Sequence, residues 1–174
     1  PLHPCGSPRA TVRPAFEDVD GDGVADTAVV TGPGVPIRFA VVSGKDNTTL
    51  LIPVTAPFAG SEDFTGGGFV AAADLDGDGF PDLYVCHYVD WTPANDPVCS
   101  GGVGAARDVC PPQRFGALQH RLYRNNGNGT FADVTAAAGL RPDGKGLGVV
   151  VLDLDGDGRP DVYVANDGGD NFLY

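Results

Sequence analysis

FVAAADLDGDGFPDLYVC, residues 69–86, is an acidic nine-residue loop set between two short apolar runs. The loop, Asp74 to Asp82, recurs as DVDGDGVAD at Asp18 to Asp26 and as DLDGDGRPD at Asp153 to Asp161. Each copy places aspartates at positions 1, 3, 5 and 9, so that hard carboxylate oxygens converge on one point. The carbonyl at position 7, from Val24, Phe80 or Arg159, would complete the oxygen shell that Ca²⁺ prefers. The predicted ligands are therefore Asp18, Asp20, Asp22, Val24 and Asp26; Asp74, Asp76, Asp78, Phe80 and Asp82; and Asp153, Asp155, Asp157, Arg159 and Asp161. The glycine at position 6 (Gly23, Gly79, Gly158) takes a turn conformation that a Cβ would strain.

The flanks decide which kind of calcium loop this is. A helix-loop-helix site needs a bidentate Glu at position 12, where this chain has Val29, Val85 and Val164. TAVV, LYVC and VYVA follow position 9, and FVAAA and GVVVL precede position 1, all with strand composition and no helical period. Each loop reads as a connection between two strands.

Charge and composition narrow the partners. The net charge is -12, from 23 acidic and 11 basic residues; 12 of the acidic ones sit in the three loops, and the rest balance Lys and Arg. No basic patch is left for nucleic acid, and no apolar run approaches the ~20 residues that span a bilayer. A count of 26 Gly and 15 Pro fits short strands joined by many turns. The start at Pro1, without an initiator Met, reads as a mature or excised segment. Four cysteines without a CxxC pair argue for an oxidising compartment, and with the calcium loops for secretion to the extracellular space or cell surface.

Between the second and third loops lies a Pro-, Gly- and Cys-rich insertion, residues 87–120, with no strand pattern. RLYRNNGNGTFADVT then reads as a hairpin, Leu122 to Thr135, and PIRFAVVSGKDNTTLLIPV fills the same place in the first repeat, about a turn at Gly44 to Thr48. Each unit is strand, loop, strand, hairpin. The expected fold is all-β: four-stranded antiparallel repeats of propeller-blade size, two complete and a third partial. The divisions are an N-terminal Pro-rich arm at 1–14, repeat 1 at 15–57, repeat 2 at 58–140 with its insertion, and partial repeat 3 at 141–174.

The string from DLDGDGxPDLYV through LYRNNGNGTFADVTAAAGL closely resembles the FG-GAP or VCBS-type repeat found in integrin α-subunit propellers and in cartilage acidic protein-like proteins. The resemblance runs from about residue 15 to the end. It implies structural Ca²⁺ at three sites and a propeller with more blades than this chain supplies. An open last sheet is an edge that pairs, so the expected partners are further blades or other copies of the chain. The arm 1–14 is placed to cover a neighbour's third sheet, which would give head-to-tail assembly.

No catalytic set emerges, and the chain is read as a non-enzyme. His3, His87 and His120 are isolated, and Ser7, Ser43, Ser61 and Ser100 include no nucleophile elbow. The glycines at 66–68 and at 144, 146 and 148 read as turns between strands, and Tyr84, Tyr163, Tyr123, Phe131, Phe172 and Tyr174 as core between repeats. Trp91, beside Tyr88 and Asp90 in the insertion, reads as a lid on the blade or as a ligand contact. Cys99 and Cys110, 11 residues apart in a loop with no core of its own, are expected to pair, which leaves Cys5 with Cys86. Asn47 and Asn128 fit the glycosylation pattern. The function expected is structural, adhesive or filament-forming; the alternative is a glycan-binding or accessory segment of a larger secreted protein.

Overall fold

A computed structural model describes residues 12–32, 35–55, 67–92, 94–102, 104, 106–128 and 130–174. Among these residues three antiparallel sheets of three or four strands follow one another along the chain, apart from a two-stranded ladder. The first has the order β1 (Val12–Glu17), β2 (Asp26–Thr31), β3 (Phe39–Val42), β4 (Leu50–Thr55). In the second, β5 (Gly68–Ala73) pairs with β6 (Asp82–His87), and β6 with the hairpin β9 (Arg121–Asn125) and β10 (Phe131–Asp133). The third joins β11 (Gly146–Leu152), β12 (Asp161–Asn166) and β13 (Phe172–Leu173). The acidic loops are the β1–β2, β5–β6 and β11–β12 turns, all at the same end of their sheets.

Alternation along the second strand of each sheet dictates how the sheets stack. Ala28 and Val30 of β2 meet Leu83 and Val85 of β6 in one buried cluster with Val19, Ile37, Phe39, Val41 and Tyr123. Tyr84 and Cys86, on the opposite face of β6, meet Val162 and Val164 of β12 in a second cluster with Leu140 and Phe172. β6 is thus covered on both faces and every residue in it is buried, whereas β2 and β12 are buried at alternate positions. The first strands lie side by side, β1 against β5 and β5 against β11.

Among the described residues the same register leaves two open faces. Tyr163 and Ala165 stand at the positions that in the first two repeats (Ala28, Val30; Tyr84, Cys86) face the following sheet, and both are only half-buried. Val150 and Leu173 pair with Tyr163 and share its face, 51% and 61% exposed. At the other end of the stack, Thr27 and Val29 occupy the positions of Leu83 and Val85, again half-buried, and Phe16 beside Thr27 is 64% exposed.

Several expectations change in detail. β1 begins at Val12, so three residues of the expected arm lie in the first strand; residues 1–11 fall outside the described residues. The insertion carries a small ladder, β7 (Cys99–Ser100) with β8 (Arg107–Asp108), and a 3-10 turn at Pro112–Arg114. Two-residue strands are too short to show a period of two, so the sequence pattern cannot display them. Gly144 and Gly146 are not turn glycines. A Cβ on Gly144 would stand 2.7 Å from the His120 ring and from Phe172, and one on Gly146 would stand 2.9 Å from Cys86 Sγ. These glycines let β11 press onto the second sheet, and Gly146 and Gly148 are themselves in β11. Of the aromatics expected in the core, Tyr84, Tyr123 and Phe172 are buried there, while Tyr163 faces outward and accepts a 2.7 Å hydrogen bond from Asn171 Nδ2.

Candidate metal centre

The three acidic loops share one hydrogen-bond plan. Both oxygens of the first aspartate turn inward: Asp74 Oδ1 accepts from the amides of Gly77 (2.8 Å) and Asp78 (3.1 Å), and Oδ2 from Gly79 (2.9 Å). Asp18 does the same with Gly21, Asp22 and Gly23, and Asp153 with Gly156, Asp157 and Gly158. The amide of residue 7 donates to the carboxylate of residue 5 in every copy: Val24 to Asp22, Phe80 to Asp78, Arg159 to Asp157. The chain closes so tightly because the glycines at positions 4 and 6 have φ between 77° and 90°.

This folding gathers the carboxylates. One oxygen each from Asp18, Asp20 and Asp22, from Asp74, Asp76 and Asp78, and from Asp153, Asp155 and Asp161 lie within 4.8 Å of one another. Two oxygens held at 2.3–2.6 Å by one Ca²⁺ can be no more than about 5 Å apart, so each cluster has the size and the hard-donor chemistry for such an ion. Without a cation the oxygens repel. The carboxyl of Asp20 is raised above its ordinary value by desolvation and by the nearby carboxylates of Asp26, Asp22 and Asp18, against the opposing amide of Asp22. Lys45 Nζ, 3.4 Å from Asp22 Oδ2, offsets part of that charge in the first loop.

The position 9 aspartates have a second occupation. Asp82, buried, accepts from Leu75 N (3.1 Å) through Oδ2 and from Asn125 N (2.9 Å) through Oδ1. Asp26 accepts from Val19 N (2.8 Å) and Gly44 N (2.9 Å) in the same way. Each fastens the loop to the end of the third strand of its sheet. Gly44 is required there, since a Cβ would lie 2.0 Å from the Ala25 carbonyl oxygen. Burial raises the Asp82 carboxyl above its ordinary value, with Asp76 and Asp78 adding to the shift and the two amides opposing it. Asp161 keeps only the first of these bonds, from Leu154 N (2.8 Å), among the described residues, and it joins the third carboxylate cluster.

The remaining candidates lie away from the loops. Cys99 and Cys110 form a disulfide that clips the β7–β8 ladder, Cα to Cα 5.3 Å. Reduction is expected to cost the insertion roughly 3 kcal/mol, the chain entropy returned to a loop of this length. Faster proteolysis between β6 and β9, with slower change in the sheets, would report it. Cys86 is buried in the second cluster, and Cys5 lies outside the described residues. Asn47 is exposed on the β3–β4 turn with φ 57°. Asn128 is also exposed, but its Oδ1 accepts from Thr130 N (3.1 Å) and Oγ1 (2.6 Å).

The two described histidines, His87 and His120, are buried. His87 Nδ1 bonds the Gln119 carbonyl at 3.0 Å, and His120 Nδ1 pairs with the Tyr84 hydroxyl at 2.9 Å. Burial is the main cause that lowers them, to about 3 for His87 and about 4 for His120. Both are neutral in the folded chain, while an unfolded histidine takes up a proton near pH 6.5. Stability is therefore fully present above pH 6.5 and is lost as pH falls towards the folded values, by about 2 kcal/mol for each histidine at pH 5. Urea midpoints at pH 7.5 and pH 5 check this, and a His120→Gln variant should show a smaller drop.

Repeated β-sheets whose first two strands are joined by an Asp-Gly loop that clusters carboxylates define a class of acidic β-repeat proteins. Residues 18–85 and 116–164, more than half of the chain, match the FG-GAP-like repeat, and the chain belongs to that family. It is also similar to cartilage acidic protein 1 of Mus musculus, 43% identical over 54 residues. That alignment takes in 30% of this chain and 8% of the mouse protein.

Proposed function

We propose that the chain is a secreted, non-catalytic calcium-binding module whose three ions brace a stack of propeller-type blades. The observation that carries this reading is a three-carboxylate cluster on the same backbone-donor plan in three loops of a single chain, from positions 1, 3 and 5 in the first two and from positions 1, 3 and 9 in the third. Ca²⁺ would be held by the aspartates at positions 1, 3, 5 and 9 with the position 7 carbonyl, the buried Asp26 and Asp82 serving both ion and backbone. Ions bound with the weak affinity of extracellular modules load only outside the cytosol. The disulfide and the repeat family support the same location. The buried, neutral histidines belong to packing, not to acid–base chemistry.

The role is structural or adhesive, and the partner is another blade. The two open faces carry the same alternation that is buried between the first and second sheets and between the second and third, which supports a fourth sheet stacked over Tyr163 and Val150 by the same step. A further repeat or a second copy of the chain supplies that sheet. Sedimentation in millimolar calcium tests the second case: concentration-dependent association that Val150→Lys with Leu173→Lys abolishes is expected, and a monomer at high concentration would contradict it. Asn47 is the favoured glycan acceptor, being exposed at a turn tip.

A further inference from the structure

The end of the stack opposite the acidic loops carries a cleft apart from them. In the β5–β6 ladder the loop end is Ala73 beside Asp82 and the far end is Gly68 beside His87; in β11–β12 it is Leu152 beside Asp161 and Gly146 beside Asn166. At that far end Phe69 and Leu147 line a cleft of about 660 Å³ together with Trp91, Val109 and Phe115 of the insertion. Leu147 gets there through a bulge: Gly146 pairs with Asn166 and Gly148 with Ala165, so the residue between them is extra and is turned outward, 46% exposed. Arg107, Asp108 and Cys110, from the disulfide-closed β7–β8 segment, line the same cleft.

The lining chemistry selects the ligand. Its volume is that of pockets enclosing small organic molecules, about 300–1,000 Å³. Trp91 is fixed before anything binds, because its Nε1 donates to Asp96 Oδ1 at 3.1 Å and Asp96 is itself held by Arg107. Flat apolar surface therefore sits beside a rim of Asp96, Arg107 and Asp108 that offers both acceptors and donors. A wholly apolar ligand would desolvate that rim without replacing its hydrogen bonds. An anion would approach a chain of net charge -12 whose rim has two carboxylates for one guanidinium. A neutral sugar meets both conditions, with C–H faces for the aromatic rings and hydroxyls that donate and accept around its edge.

We propose that this cleft binds a neutral oligosaccharide, one ring stacked on Trp91 and its hydroxyls bonded to the Arg107 and Asp108 rim. Trp91 is the chain's one tryptophan, so its emission reports on the cleft alone. The test is a fluorescence titration of the intact chain in millimolar calcium with neutral oligosaccharides of glucose, mannose, xylose and N-acetylglucosamine. A saturable change with at least one of them, half-complete below about 10 mM, is expected. Asp108→Ala, which leaves the Trp91–Asp96–Arg107 chain in place, should weaken it about tenfold with an unchanged melting temperature. No saturable change with any of these sugars overturns the proposal. So does saturation that Asp108→Ala leaves unaltered, or a response confined to an apolar dye. Calcium binding is measured separately, so either reading can fail alone.

Discussion

Chelation of calcium is expected to lower the melting temperature of the chain by about 10 °C. At tenfold excess over a millimolar-range dissociation constant each ion contributes about 1.4 kcal/mol, and three contribute about 4 kcal/mol; in a domain of this size each kcal/mol shifts the midpoint by about 2–4 °C. The effect should be reversed by re-adding calcium and only weakly by magnesium, which demands a more regular shell and keeps its waters. Differential scanning calorimetry in calcium and in EGTA reads it. The same midpoint in both would show that the carboxylate clusters of Asp18, Asp74 and Asp153 hold no stabilising ion.

Asp82→Ala is expected to destabilise the chain by about 2 kcal/mol even in chelator, because it strands the buried amide of Asn125 and the partly buried amide of Leu75. Asn125 adds a further link, since its Nδ2 donates to the carbonyls of Val19 (3.1 Å) and Pro81 (3.2 Å) and so joins the first sheet's loop to the second. Asp76→Ala, on an exposed residue of the same loop, should cost less than about 0.5 kcal/mol in chelator. In calcium both variants lose the ion's contribution. Urea unfolding of the pair in EGTA separates the structural part of position 9 from its part in the metal shell. Equal stability of the two variants there would mean that Asp82 acts only as a ligand.

The sequence made the repeat legible because a nine-residue loop with four aspartates and two glycines has few other uses, and because the strands on either side keep strand composition. It could not say which sheet is central. TAVV, LYVC and VYVA are equally apolar, yet β6 is covered on both faces while β2 and β12 are covered on one; that difference comes from position in the stack, not from local composition. The second role of Asp26 and Asp82 was hidden for a similar reason. Their partners, Gly44 and Asn125, lie 18 and 43 residues away, and a position 9 aspartate looks the same whether it faces an ion or an amide. The insertion hid most. Its strands are two residues long, and the bulge at Leu147 that completes the cleft lies in a different repeat from Trp91.

The count of calcium ions per chain tests the central claim most directly. Isothermal titration of the chelated, dialysed protein with calcium chloride should reach three ions per chain, falling to two when Asp74→Ala and Asp76→Ala are combined. A plateau at zero, or one that the double substitution leaves unchanged, would contradict the account.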